Sequence, residues 1–219
     1  MFLGHFGAGL AAKRLTPYTS LGTLIFSVQL LDLAWPTLLA LGVERARVVP
    51  GHTVVTPLAF DYYPWSHSLL MACAWAALLA AGYAVFRRYP RGAWVLGAGV
   101  VSHWVLDVVV HGPDLPLAPG VGPAVGLGLW NSLRVTLLLE AALFFGGLWV
   151  YVRNTEPTDR LGRHALAGFV AVLLIVYALS VFGPPPPGID AVATAGHAQW
   201  LLVGWAAWID RHRVPVRQW

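Results

Sequence analysis

Residues 92–111, GAWVLGAGVVSHWVLDVVVH, form an apolar stretch long enough to cross a lipid bilayer as one helix. A crossing helix needs about 20 predominantly apolar residues, because each residue adds about 1.5 Å to its length. Comparable stretches lie on both sides of it, at residues 21–42, 67–86, 132–152, 164–183 and 192–209. The sequence therefore predicts an all-α, polytopic membrane protein, a helical bundle with about six transmembrane helices.

The composition of the whole chain supports this interpretation. It is 58% hydrophobic and 11% charged, and its mean hydropathy of +0.65 lies outside the usual range of soluble domains. The single cysteine, Cys73, excludes a disulfide framework or a thiolate metal site within one chain. The environment predicted for the chain is therefore the lipid bilayer itself.

The N-terminal segment, residues 2–12, is apolar but too short to cross a membrane. Lys13 and Arg14 follow it, whereas a signal peptide carries its basic residues first. We therefore expect a retained half-helix. No internal repeat divides the chain, so residues 1–219 are interpreted as one membrane domain, with the candidate site in residues 1–140 and further helices in residues 141–219.

Basic residues fall mainly in alternate connections between the predicted spans. One side has Lys13, Arg14, Arg87, Arg88, Arg91, Arg153, Arg160, Arg163, Arg211, Arg213 and Arg217, and the other has Arg45, Arg47 and Arg134. The positive-inside rule makes the first side cytoplasmic, together with the C-terminus. No basic stripe with interleaved aromatic residues occurs, so we expect no nucleic-acid partner.

Several ionisable side chains lie inside the predicted spans, where their cost makes them candidates for function. His103 and Asp107 are four residues apart, so both project from one helix face and can reach one ion. Helical rise places His5, Asp32 and His67 at a similar depth. Imidazole nitrogen and carboxylate oxygen suit zinc, manganese or iron, whose charge offsets the burial of the carboxylates. The alternative is a simple hydrogen bond between His103 and Asp107.

Other polar residues in the spans have more than one interpretation. His111 follows Asp107 by one turn and is a third ligand, a proton shuttle or the cap of a helix end. Glu140 lies well inside its span, too far from Arg134 to pair with it, and is a candidate ligand or general base. His197 and Gln199 are expected to form hydrogen bonds between helices.

Four motifs together resemble the YdjM-like inner-membrane-associated, metal-dependent hydrolases. They are Gly4-His5, Asp32 in the second apolar segment, SHSLL at residues 66–70 and SHxxxD at residues 102–107. The resemblance covers roughly residues 1–140, and its most specific part is SHSLL followed by SHxxxD. That family is similar in turn to zinc-dependent phospholipase C and P1-type nucleases, helical enzymes that hydrolyse phosphoesters with metal ligands in a similar order.

The chain departs from these patterns at two positions. Asp32 stands in QLLDLAWP, residues 29–36, without the second acid and histidine of the family's PDxDH motif. Thr136 precedes Glu140 where the phospholipase pattern has the histidine of HxxxE. The resemblance therefore implies one or two divalent ions rather than three. Zinc is the first choice, with manganese or iron as alternatives, and the ligands are His5, Asp32, His67, His103 and Asp107.

These observations predict a membrane-embedded, metal-dependent hydrolase that acts on a phosphoester or lipid-like substrate through a metal-activated water. The candidate catalytic residues are Asp107, His111 and Glu140. The resemblance implies a bacterial inner membrane, and the charge pattern places the site toward the outer leaflet. A cation or proton transporter would use the same cluster, and a scaffold would hold the metal without turnover.

Overall fold

The structure, a computed structural model, describes residues 1–120 and 122–216, so Arg217 of the predicted basic side lies outside the described residues. The described chain is mainly helical, which confirms the predicted class in broad terms. Its helices are α1 (Leu3–Ala12), α2 (Leu21–Ala40), α3 (Pro64–His67), α4 (Leu69–Arg87), α5 (Pro90–Val110), α6 (Leu133–Asn154), α7 (Arg160–Phe182), α8 (Ile189–His197) and α9 (Gln199–Arg211). Two short antiparallel strand pairs join them: β1 (Arg45–Val48) with β2 (Leu58–Tyr62), and β3 (Thr155–Pro157) with β4 (Arg213–Pro215).

Five of the described helices are long and apolar enough to cross a membrane, namely α2, α4, α5, α6 and α7. They coincide with five of the six predicted spans. Large apolar side chains on their outer faces are exposed, among them Leu78, Phe86 and Trp94. Such a surface is unfavourable in water and is typical of helices that contact lipid.

The sixth predicted span, residues 192–209, is divided in the structure into α8 and α9. The two helices have 9 and 13 residues, and Ala198 lies between them. Gly196, near the end of α8, packs against the ring of Pro36 in α2 so closely that a Cβ would collide with it. Hydropathy does not reveal this break, because both short helices are apolar.

Helix α2 lies at the centre of the bundle. Half or more of its apolar window is buried (56%), against 11% for α4. The expected hydrogen bonds between helices also end on α2, because His197 lies 3.1 Å from Thr37 Oγ1 and Gln29 Nε2 donates to Gln199 Oε1 at 3.3 Å. Asp32 in the middle of α2 is therefore placed inside the bundle.

The short helix α1 is almost wholly buried between α2 and α6. Gly7 and the α6 residue Gly147 allow the two backbones to touch, since a Cβ at either position would overlap the carbonyl of the facing chain. On the other side, Gly9 packs against Ile25 and Val28 of α2. This close packing fixes the position of His5.

Helices α4 and α5 form an antiparallel hairpin that brings the two most specific motifs together. Ser68 caps α4 by accepting a hydrogen bond from Met71 N at 3.3 Å. At the other end, the C-cap residue Arg88 has a φ of 49°, which lies in the left-handed region. Pro90 then occupies the first position of α5, where its missing N–H costs nothing. The residues before α4 thus lie beside the last turns of α5.

Contacts between connections gather basic residues at one end of the bundle. Lys13 forms an ion pair with Asp210 at 2.7 Å, and β3 pairs with β4. Thr19 Oγ1 also lies 3.0 Å from Tyr83 Oη near the end of α4. The connections that carry Lys13, Arg153 and Arg213 are thereby brought together, as the predicted alternation of charge requires.

Candidate metal centre

The five predicted ligands converge in the structure. They are His5 of α1, Asp32 of α2, His67 at the end of α3, and His103 and Asp107 of α5. Two overlapping groups form, His5 with His103 and Asp107, and Asp32 with His67 and His103. Within each group the possible ligand atoms all lie within 4.8 Å of one another, so these buried groups could hold a metal ion.

The distances between ligand atoms are those of a coordination shell. His103 Nε2 lies 3.1 Å from Asp107 Oδ2, and His67 Nε2 lies 3.3 Å from Asp32 Oδ1. The distance from His103 Nε2 to Asp32 Oδ1 is 3.7 Å, and that from His67 Nε2 to Asp107 Oδ2 is 3.9 Å. Atoms bound to one ion at about 2.0–2.2 Å lie about 3–4 Å apart, so all four distances fit one centre.

His103 is held in a single tautomer by the backbone of α2. Its Nδ1 lies 2.6 Å from the carbonyl oxygen of Val28, which can only accept, so Nδ1 carries the hydrogen. In the neutral ring the lone pair is then on Nε2, which is buried and faces Asp107 Oδ2 at 3.1 Å. A buried imidazole nitrogen that faces a carboxylate oxygen at this distance fits a metal ligand, because divalent ions such as zinc bind these two donors together.

His5 completes the other side of the cluster. Its Nε2 lies 3.1 Å from Asp107 Oδ1, and its ring stacks on that of His103 with centroids 3.7 Å apart and planes 4° from parallel. The α-amino group of Met1 also contacts Asp107 Oδ1, at 2.6 Å. Asp107 is thus approached by nitrogen atoms on both of its oxygens.

Burial differs across the cluster and shows where solvent reaches it. The side chains of His5 and His103 are 0% exposed and that of Asp107 is 2% exposed. Asp32 is the exception, because 24% of its side chain is exposed. Asp32 is therefore the candidate ligand with the most exposed side chain.

Glu140 has a different set of partners from the one that the sequence suggested. Both of its carboxylate oxygens lie 3.1 Å from Phe2 N, and Oε2 also accepts from Gly4 N at 2.9 Å. Glu140 of α6 therefore caps the N-terminus of α1, where the N–H groups of a helix lack partners. It belongs to neither group of candidate ligands in the described chain.

His111 lies at the end of α5, beside the candidate ligands rather than among them. Its Nδ1 lies 3.1 Å from Asp114 Oδ1 and 3.3 Å from Tyr63 Oη, and the Trp130 ring packs 4.2 Å away, centroid to centroid. Burial, with Asp114 nearby, raises the pKa of Tyr63, whose hydroxyl donates to Asp114. His111 thus links the region of Asp107 to the loops at this end of the bundle.

A cavity of about 390 Å³ lies at the end of the bundle opposite the basic connections, against residues 112–114 that follow α5. Its lining includes Arg47, His52, Asp61, Asp114, Trp130 and Asn131. Arg47 donates two hydrogen bonds to Asp61, at 2.7 and 2.8 Å, and these bonds lower the pKa of Asp61. The volume lies in the range of small-molecule sites.

One buried acid near the cluster was missed in the sequence. Glu44, in the loop after α2, is 1% exposed and accepts hydrogen bonds from the backbone of α3 and from the Ser66 hydroxyl. The sequence around Glu44 did not indicate burial, because an acid in a loop beside a basic residue such as Arg45 is usually solvated.

Comparison with protein-family models, with curated proteins and with solved structures finds no match for this chain. The resemblance to YdjM-like hydrolases therefore stays a prediction from the motifs, and function is argued below from the cluster itself.

Proposed function

We propose that the protein is an integral membrane, metal-dependent hydrolase that cleaves a phosphoester bond in a lipid-like substrate. The observation that carries the proposal is the cluster of three imidazoles and two carboxylates, whose possible ligand atoms form two overlapping groups with all atoms of a group within 4.8 Å of one another. Burial of such groups costs several kcal/mol unless they are paired. A divalent cation would offset the charge of the two carboxylates and bind imidazole nitrogens of the cluster.

The geometry favours one ion over two. Both groups of candidate ligands share His103, and only its Nε2 has a lone pair, because Nδ1 donates to Val28. One lone pair serves one metal ion. The donor set of imidazole nitrogen and carboxylate oxygen suits zinc, the first choice, and also iron or manganese.

The chain holds the cation and admits water at one side. A bound divalent ion supplies Lewis acidity, which lowers the pKa of a coordinated water and polarises a phosphoryl oxygen. His5 and His103 keep bulk water out through their complete burial. Asp32, the most exposed member, meets the incoming water and holds the proton that this water loses.

In the hydrolysis the oxygen of water forms a bond to phosphorus, and the bond from phosphorus to the alcohol oxygen breaks. The proton held at Asp32 then passes to the leaving oxygen, so the products are an alcohol and a phosphate with one fewer ester bond. Glu140 is given no role in this step, because its oxygens accept hydrogen bonds from the backbone of α1.

The outer leaflet is the side that we assign to the substrate. The gathered basic connections form the cytoplasmic end by the positive-inside rule, and the cavity lined by Asp114 and Trp130 lies at the opposite end. Its mixed charge and its Trp130 side chain suit a polar headgroup. The phosphoester class itself is supported by analogy with the resembled family, as is the bacterial inner membrane.

The test is hydrolysis of a chromogenic phosphodiester and of phospholipid vesicles by detergent-purified protein supplied with zinc. We expect turnover in the wild type, its loss in Asp107→Asn, and wild-type rates in Asp190→Asn, an exposed acid on α8. If proteoliposomes take up zinc or protons and the protein hydrolyses neither substrate, the hydrolase proposal is wrong and the transporter is the better interpretation.

A further inference from the structure

Glu44 is buried where a polar loop meets α3. It is 1% exposed, and three donors point at its two oxygens. Trp65 N and Ser66 N donate to Oε1, each at 2.8 Å, and the hydroxyl of Ser66 donates to Oε2 at 2.6 Å. The carboxyl group therefore acts only as an acceptor in this position.

The Ser66 hydroxyl has one hydrogen and three neighbouring atoms that can accept it. Glu44 Oε2 at 2.6 Å is a much closer acceptor than the Tyr63 carbonyl at 3.4 Å. Ser66 Oγ also lies 2.7 Å from His67 Nδ1. Because the hydrogen is directed to Glu44, Ser66 Oγ accepts from His67, and Nδ1 of that ring must carry a hydrogen.

The consequence falls on the other nitrogen of His67. With the hydrogen on Nδ1, the lone pair is on Nε2, which faces Asp32 Oδ1 at 3.3 Å. The opposite tautomer would donate from Nε2 to Asp32 and leave no lone pair for a cation. Metal-binding histidines are commonly oriented in this way by a hydrogen bond from their second nitrogen.

We propose that Glu44 is a positioning residue of the metal centre, which acts through Ser66 to hold His67 as an Nε2 ligand. The inference rests on the proposed metal centre. It gives His67 the same arrangement that the Val28 carbonyl gives His103. Two imidazoles of the cluster are thus fixed in the ligand tautomer, one by the backbone and one by a buried acid.

Two variants separate positioning from mere stability. Ser66→Ala removes the acceptor for His67 Nδ1 and leaves the two backbone bonds to Glu44 intact. Ser68→Ala is the matched control, because Ser68 is also 0% exposed and instead caps α4. We expect zinc affinity, measured by competition with a chromophoric chelator, to fall about 10–100-fold in Ser66→Ala. It should stay at the wild-type value in Ser68→Ala and recover in Ser66→Thr, which restores the hydroxyl.

A third variant reverses the direction of the hydrogen bonds that connect Glu44, Ser66 and His67. In Glu44→Gln the amide oxygen accepts from the backbone and the amide nitrogen donates to Ser66 Oγ, so the hydroxyl turns toward His67 Nδ1. Nitrogen-15 NMR of histidine-labelled, metal-free protein should then show His67 protonated on Nε2, against Nδ1 in the wild type. Cobalt absorption of the loaded variant should differ from that of the wild type.

The outcomes are distinguishable from those of the proposed function. If the wild type binds no metal, the proposed metal centre is wrong, and the NMR comparison still determines the tautomer of His67. Equal zinc affinity in Ser66→Ala and Ser68→Ala, or an unchanged tautomer in Glu44→Gln, overturns the role of Glu44 while the metal centre stands.

Discussion

His103 Nδ1 lies 2.6 Å from the carbonyl oxygen of Val28, a residue 75 positions earlier in the chain. This bond joins α5 to α2 and turns the other ring nitrogen of His103, Nε2, toward Asp32 and Asp107. The central helix of the bundle therefore supplies one candidate ligand through a side chain and orients another through its backbone. Two ligands of the cluster depend on the position of one helix.

Removal of His103 should abolish tight metal binding. In His103→Gln we expect zinc affinity to fall by more than about 100-fold, because a ligand is lost and not merely its orientation. Competition with a chelator measures the change. His164→Gln, at an exposed position on α7, is the control and should bind like wild type. Equal affinities in the two variants would remove His103 from the centre.

Metal binding should stabilise the fold by mass action. Free zinc at about 100 times its dissociation constant adds about 2.7 kcal/mol to the free energy of unfolding. The melting temperature in detergent should rise with zinc and fall with a chelator. Asp107→Asn should show neither change, since it lacks the carboxylate that contacts both histidines. A zinc-dependent shift of the same size in this variant would speak against the site.

Glu140 should act on stability rather than on the reaction. In Glu140→Ala the N–H groups of Phe2 and Gly4 lose their buried acceptor, which costs about 1–3 kcal/mol each. We therefore expect a lower melting temperature, measured by thermal unfolding of the variant in detergent. Glu140→Gln keeps one acceptor oxygen and should retain hydrolysis at saturating zinc, as should the exposed-site control Glu156→Gln. Loss of turnover in Glu140→Gln alone would restore the role of general base.

The contact between α1 and α6 should be intolerant of a single methyl group. In Gly147→Ala the new Cβ would overlap the backbone of Gly7, and overpacking of this kind costs about 1–3 kcal/mol. Zinc affinity should fall as well, because α1 carries His5. Gly146→Ala, one residue away with open space around its Cβ, should melt and bind zinc like wild type. If both variants behave alike, α1 is not held by this contact.

The ligands could be predicted from the sequence because their signals are local. His103 and Asp107 are one turn apart on the same helix, and a charged residue in an apolar span stands out whatever surrounds it. Helical rise then gave the depth of His5 and Asp32. The structure brings these residues and His67 together.

Other features could not be predicted, because they depend on backbone groups from distant elements. Glu140 was interpreted as a candidate ligand because the N–H groups of α1 that it binds lie more than 130 residues earlier in the chain and leave no local signal. Glu44 looked like a solvated loop residue for the same reason. The break between α8 and α9 lies near the close contact of Gly196 with Pro36, which no local pattern of hydropathy records.

The most direct test is the metal content of detergent-purified protein by elemental mass spectrometry, for wild type, Asp107→Asn and the control Asp190→Asn. The account predicts about one equivalent of zinc, iron or manganese per chain in the wild type and the control. Asp107→Asn should retain less than about a tenth of that amount. A wild type that is free of metal after chelator-free purification, or an Asp107→Asn protein that retains the full equivalent, would contradict it.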